Sequence, residues 1–176
     1  MRDFSKIKRV IVKVGTNTLA DEKGINEAYI EDLVSQLANL HKRGLQVLLV
    51  SSGAVGLGAK TRNYKQSVKA INLRQAFASI GQPLLMSSYR KHFKKYNIVC
   101  SQVLLTRDGL NNRKTYNNLR NSVNTLLDLK VLPIFNENDT VSTAEIGTAF
   151  GDNDRMCAMV ASKMDADLMI ILTDTN

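Results

Sequence analysis

Short apolar runs rich in β-branched residues alternate along this chain with longer segments in which apolar residues recur every three or four positions. The first kind reads as strand and the second as amphipathic helix. Ile7 to Val14 predicts strand one, closed by Gly15-Thr16-Asn17. Asn26 predicts a helix cap, with Ile30, Leu33, Val34, Leu37 and Leu40 on one face and Gly44 where the helix stops. Strand two follows over Gln46 to Ser51. After a glycine-bearing loop, Leu73, Ala76, Phe77 and Ile80 form one apolar stripe, which Gly81-Gln82-Pro83 is expected to break before a second helix runs to about Lys95.

Strand three is expected over Ile98 to Leu105, then a loop at Thr106-Arg107-Asp108-Gly109 and a helix around Thr115 to Leu129 with Leu119, Val123, Leu126 and Leu127 facing inward. Val131 to Phe135 predicts strand four. The polar stretch Asn136 to Gly151 opens a helix at Asp152-Asn153-Asp154, whose Met156, Met159, Val160 and Met164 face the core. Strand five, Asp167 to Leu172, leads into Thr173-Asp174. Strands separated by helices predict right-handed βαβ crossovers, hence an α/β fold with a mainly parallel central sheet and helices on both faces. No repeat, low-complexity tract or linker interrupts it, and 176 residues suit one domain. A last strand this hydrophobic predicts that further chain, or a partner, covers that edge.

Composition narrows the partners. With 44% hydrophobic residues there is enough apolar surface for one sizeable core. Twenty-four Lys+Arg against sixteen Asp+Glu give a formal charge of +8, which admits nucleic acid, a membrane surface or a small anionic substrate. The charge is spread out: Lys60-Thr61-Arg62 with Lys65 and Lys69, and Arg90-Lys91 with Lys94-Lys95, suit solvated faces. Nucleic-acid signatures and aromatic interleaving are absent, so no nucleic-acid partner is expected. Cys100 and Cys157 sit in apolar stretches without C-x-x-C spacing, which predicts neither a disulfide framework nor a zinc site, and fits a reducing cytoplasm. His41 and His92, each beside lysines, read as exposed helix positions, and no protein-built metal site is expected. Met1 to Arg9 is charged, and no apolar run reaches the roughly 20 residues of a membrane span, so a soluble cytoplasmic protein is expected.

The candidate chemistry lies at strand ends. Ser51-Ser52-Gly53-Ala54-Val55-Gly56 follows Val47 to Val50, and Asn136-Glu137-Asn138-Asp139-Thr140 follows Val131 to Phe135. In open α/β sheets ligands settle beyond the carboxyl ends of strands, so the two loops predict one shared site. Gly53-x-x-Gly56-x-Gly58 has the wrong glycine order for a dinucleotide fingerprint, no G-K-[ST] exists for a P-loop, and the Gly53-Ala54 pair also suits a plain tight turn. Lys13 is either a lysine snorkelling from a strand end or a phosphate-holding cation beside Gly15-Thr16; its place between Val12 and Val14 in an apolar strand favours the second. In Gly151-Asp152-Asn153-Asp154 a helix cap needs one polar residue, and three exceed it.

These residues carry a resemblance. Val12-Lys13-Val14-Gly15-Thr16, Val50-Ser51-Ser52-Gly53-Ala54-Val55, Asn136-Glu137-Asn138-Asp139-Thr140-Val141, Gly151-Asp152-Asn153-Asp154 and Leu172-Thr173-Asp174 resemble, in order, the motifs of the amino acid kinase family. Leu104-Leu105-Thr106-Arg107 and Arg113 to Asn121 are similar to its middle region. The resemblance implies a three-layer α/β kinase domain of which residues 1–176 form the N-terminal portion, substrate site included. Family members continue past the Thr-Asp pair into an adenine-binding segment and a glycine-rich loop with a second lysine, and some add an RNA-binding-like domain.

The implied reaction is ATP-dependent phosphorylation of the γ-carboxylate of L-glutamate to L-glutamate 5-phosphate, the first step of proline synthesis, with Mg2+ carried on the nucleotide. By the same resemblance Lys13 contacts the transferred phosphoryl and Gly15 and Thr16 form the adjacent loop. Ser52, Gly53 and Ala54 hold the substrate, while Asn136, Asp139 and Asn153 bind its amino and carboxylate groups. Asp152 orients the lysines, Asp154 is the weaker candidate for that task, and Thr173 and Asp174 begin the nucleotide site. Proline feedback and a homo-oligomer, through apolar surface on the Leu73 to Lys95 helices, are further expectations. The acceptor carboxylate is ionised at neutral pH, so no general base is assigned. A kinase of another small acid, and a catalytically inactive glutamate-binding module, remain open alternatives.

Overall fold

The computed structural model describes residues 4–21, 24–141 and 152–172. Five strands, β1 (Arg9–Val14), β4 (Gln46–Val50), β5 (Cys100–Leu105), β6 (Leu132–Glu137) and β7 (Leu168–Leu172), form one sheet in the order β5-β6-β4-β1-β7. Every neighbouring pair in it is parallel. A small antiparallel hairpin of β2 (Ala20–Asp21) and β3 (Gly24–Ile25) follows the short helix α1 (Thr16–Leu19). The remaining helices are α2 (Glu27–Lys42), α3 (Ala54–Thr61), α4 (Ile71–Lys94), α5 (Arg107–Asn111), α6 (Arg113–Asp128) and α7 (Asp152–Lys163).

Period-2 alternation along the strands divides the core in two. Val10, Val12 and Val14 of β1 pack with Ile30, Leu33, Val34 and Leu37 of α2, Leu57 of α3 and Leu85, Tyr89 and Phe93 of α4. Ile11 faces the other way, joining Leu110 of α5, Val123 and Leu127 of α6, Met156, Cys157 and Val160 of α7, and Met164 just past its end. The sheet is thus the middle of three layers. Helix α2 begins where its sequence predicts: the Asn26 side chain accepts from Tyr29 N–H at 3.0 Å, and Gly44 takes up φ of +87° just past the end.

Four expectations are corrected. Gly81-Gln82-Pro83 does not break a helix, because α4 runs through it for 24 residues. A Cβ on Gly81 would lie 1.9 Å from the Ala54 carbonyl oxygen, and one on Gly58 1.9 Å from that of Phe77, so α3 and α4 touch backbone to backbone. That seam, with Leu85, Met86, Tyr89 and Phe93 buried beyond it, outweighs the one helix hydrogen bond that Pro83 removes. Second, the Leu73, Ala76, Phe77 and Ile80 stripe is not uniformly inward: Phe77 is buried but Ile80 is 36% exposed. Third, His92 is buried rather than exposed. Its Nε2 meets Glu27 of α2 at 2.7 Å, and Glu27 also accepts from Ser88 Oγ at 3.0 Å and Lys91 Nζ at 3.1 Å. The loop expected at Thr106 to Gly109 instead opens α5, with Thr106 Oγ1 accepting from Gly109 N–H. No helix among the described residues is long and apolar enough to cross a membrane.

Candidate active site

All five strands run the same way, so their carboxyl ends share one edge. The register places Lys13 opposite Val50 of β4 and Ile171 of β7. The Ser51 N–H donates to the Phe135 carbonyl at 2.9 Å, bringing the start of the Ser51-Ser52-Gly53 loop beside Asn136. From here β4 leads to α3 on one face of the sheet, whereas the next helix after β6 is α7 on the other. Neighbouring strands whose chains leave to opposite faces open a crevice between them, the usual ligand position in such sheets.

Lys13 shares the face of Ile11 and is only 8% exposed. Its ammonium reaches Asp154 in α7 at 2.6 Å, and it lies 3.8 Å from where a Cβ on Gly15 would stand. A Cβ at position 15 would stand in ordinary van der Waals contact with that ammonium; glycine leaves that side of it open. Among the described residues Asp154, the weaker of the two expected orienting aspartates, is the carboxylate that pairs with Lys13. Asp152 and Asn153 form the start of α7, but their side chains, like Gly151, Thr173 and Asp174, lie outside the described residues. Cys157, one turn further along α7, is fully buried; burial, with a lesser contribution from Asp154, pushes its thiol up to about 11, which suits packing rather than reactivity.

Gly53 caps α3 at φ of +96°, a left-handed conformation that other residues reach only with strain. Its turn leaves the first N–H groups of α3 without intrahelical acceptors, an arrangement suited to an anion. The Thr16 methyl would lie 3.9 Å from a Cβ on Gly53 and 3.8 Å from one on Gly56, so the loops after β1 and β4 abut. Ser52 and Ala54 are buried in the same turn, and Ser51 is anchored by its hydroxyl to Tyr89 OH of α4 at 2.9 Å. Burial raises the Tyr89 phenol well above its ordinary value, keeping it neutral.

Across the crevice Asn136 is 2% exposed at the end of β6. Its Nδ2 donates to Gln82 of α4 at 2.8 Å. Asp139, three residues on, faces Arg74 of α4 at 3.8 Å. Neither Arg74 nor Gln82 was singled out from the sequence. Both lie in a segment whose apolar stripe and Gly-Gln-Pro triplet draw attention to helix boundaries, and no local pattern marks them as site residues. Lys13, Gly15, Thr16, Ser52, Gly53, Ala54, Asn136, Asp139 and Asp154 do gather at this edge. A groove of about 850 Å³ elsewhere, between α4 and β5, is lined by Arg90, Lys94 and Val99 and presents no carboxylate, so it lacks the mixed charge of the strand-end site.

The sequence model of the amino acid kinase family matches residues 8–176. The chain belongs to the amino acid kinase family. Among its relatives, a protein named glutamate 5-kinase from Methanococcoides burtonii is 45% identical over 168 residues, covering 95% of this chain and 45% of that protein. Proteins of the same name from Methanosarcina acetivorans and Caldanaerobacter subterraneus subsp. tengcongensis are 42% and 47% identical, covering 97% and 94% of this chain and 46% and 44% of theirs. The chain therefore spans somewhat under half the length of the curated relatives it matches. Within the family, the five-stranded parallel sheet between two helical layers is the expected fold.

Proposed function

We propose that the protein to which this chain belongs is an ATP-dependent kinase of L-glutamate that makes L-glutamate 5-phosphate, the first step of proline synthesis, in the cytoplasm. The observation that carries the reading is the buried Lys13 ammonium, held by Asp154 over Gly15 at the edge where the Gly53 turn and the Asn136 and Asp139 loop meet. The relatives' name supplies the substrate class.

In this reading a γ-carboxylate oxygen of glutamate attacks the γ-phosphorus of ATP, the bond to the β,γ-bridging oxygen breaks, and ADP leaves. The protein aligns the two anions and neutralises charge on the equatorial oxygens. Lys13 meets the transferred phosphoryl, with Gly15 and Thr16 beside it; the turn of Ser52, Gly53 and Ala54 offers N–H groups to the reacting carboxylate. Asn136, Asp139 and Asn153 hold the amino-acid end, with Asp139 as the ammonium's counter-charge. Asp152 and Asp154 orient the lysine, and Thr173 and Asp174 begin the nucleotide site.

Among the described residues no group of three His, Cys, Asp or Glu side chains could hold a metal ion. Asp154 and Asp139 already face cations, so a Mg2+ ion is taken to ride on the nucleotide's phosphates and withdraw charge from them. Exposed Leu84, Ile80 and Val99 support self-association, and proline as a feedback ligand belongs to the same proposal.

The test is hydroxamate formation from glutamate, ATP and hydroxylamine by the full natural protein, alongside a panel of small acids read by ADP release. Glutamate is expected to be preferred. A clear preference for an acid without an amino group would sink the assignment, and light scattering checks the oligomer.

A further inference from the structure

Asn136 is buried, so its carboxamide must be satisfied within the protein or by a ligand. Its Oδ1 accepts from the Glu137 backbone N–H at 2.9 Å. A backbone N–H can only donate, which settles which end of the Asn136 amide is oxygen. Nδ2 must then face Gln82, and it donates to Gln82 Oε1 at 2.8 Å. Gln82 is thereby oriented in turn: its Nε2 donates to Oε1 of Gln102 on β5 at 3.0 Å. One main-chain donor sets the direction of three side-chain amides running from β6 through α4 to β5. None of them can flip without placing donor against donor or acceptor against acceptor.

We propose that Gln82 is a positioning residue, with Gln102 as its anchor, that holds Asn136 so that its second Nδ2 hydrogen is presented to a carboxylate oxygen of the substrate. The inference rests on the glutamate reading of the site. Gln82 owes its reach to its neighbour: Gly81 lets α4 approach the Ala54 carbonyl more closely than any side chain would allow, which brings position 82 alongside the end of β6. Without the Gln82 acceptor the Asn136 amide keeps only the Glu137 N–H on Oδ1, its Nδ2 end is no longer fixed, and the substrate must complete its ordering on binding. That loss falls on binding of the amino acid, not on the nucleotide.

The experiment compares Gln82→Met and Gln102→Leu with the parent in the full natural protein, measuring KM for glutamate, KM for ATP, kcat and melting temperature. Gln82→Met, nearly isosteric but with only a weakly accepting thioether and no donor, is expected to raise the glutamate KM about tenfold, with the ATP KM within about twofold. Gln102→Leu, on the exposed end, is expected to raise it about threefold and serves if Gln82→Met folds poorly. Active enzyme with an unchanged glutamate KM in both variants, or equal rises in both KM values, overturns the positioning role alone. A parent inert towards glutamate instead overturns the substrate reading, and this role with it.

Discussion

Lys13 and Glu27 each carry charge into a partly buried position, yet their surroundings differ. Glu27 is well supplied: Ser88, Lys91 and His92 all donate to it, and the cluster ties α2 to α4. Lys13 has three donors, and among the described residues Asp154, itself half-exposed, takes one of them. The first arrangement spends the carboxylate on contacts between two helices, which is a structural job, although the Nδ1 of buried His92 has no partner among the described residues. Among the described residues the second leaves donors uncommitted at the edge where the strands end, which supports the proposed ligand role. Charge and burial alone do not separate the two; the count of satisfied partners does. Helix α4 serves both, with Ser88, Lys91 and His92 on Glu27 and Arg74, Gln82 and Tyr89 on the strand-end loops.

The contrast is broken most directly at Lys13. Lys13→Ala should lower phosphoryl transfer about a hundredfold or more while moving the melting temperature by less than about 4 °C. Retained turnover in the hydroxamate assay would put Lys13 in the same structural class as Glu27. Next comes the seam that holds α3 and α4 together. Gly81→Ala forces a Cβ towards the Ala54 carbonyl, 1.9 Å away, and should destabilise the protein by about 1–3 kcal/mol in urea unfolding. Stability equal to the parent's would mean that the two helices separate at little cost.

Glu27→Ala strips partners from buried His92 and Ser88 and should cost about 1–3 kcal/mol, with turnover per folded molecule unchanged. A fall in specific activity of the fully folded variant would join the two clusters functionally. The smallest effect is in pH. Burial pulls the Glu27 carboxyl upward, but hydrogen bonds from His92, Lys91 and Ser88 outweigh this and hold it below its ordinary 4.5. A depressed folded value means stabilisation that is present above 4.5 and lost as pH falls through the folded value. Asp167, held low by the backbone N–H groups of Arg9 and Lys8, adds to the same acid limb. Glu27→Gln should therefore flatten only part of the stability loss below about pH 4.5, and an unaltered slope would show that the cluster is not coupled to protonation.

Much of the fold was legible because local rules and tertiary packing agree. Asn26 and Gly44 delimit α2 through hydrogen bonds that lie within a few residues of each. The strand ends were legible for a related reason: Lys13 interrupts a continuous apolar run, and Gly53 supplies the positive φ that a tight turn requires. Where the reading failed, the deciding atoms were far away in the chain. Pro83 looks like a helix end until α3 is laid against Gly81, and His92 looks solvated until Glu27 arrives from α2. That Lys13 is held by Asp154, 2.6 Å away but far along the sequence, has no local signature.

The amino-acid sequence by itself determined the alternation of strands and helices, the parallel sheet that follows from it, and which strand-end residues had chemistry to offer. Tertiary structure alone decided the strand order, the passage of α4 through Pro83, and the direction of the amides linking Asn136, Gln82 and Gln102. The reason is range. Periodicity, caps and turns are energies of neighbouring residues, whereas an ion pair or an amide's orientation depends on a partner that only folding brings within hydrogen-bond distance.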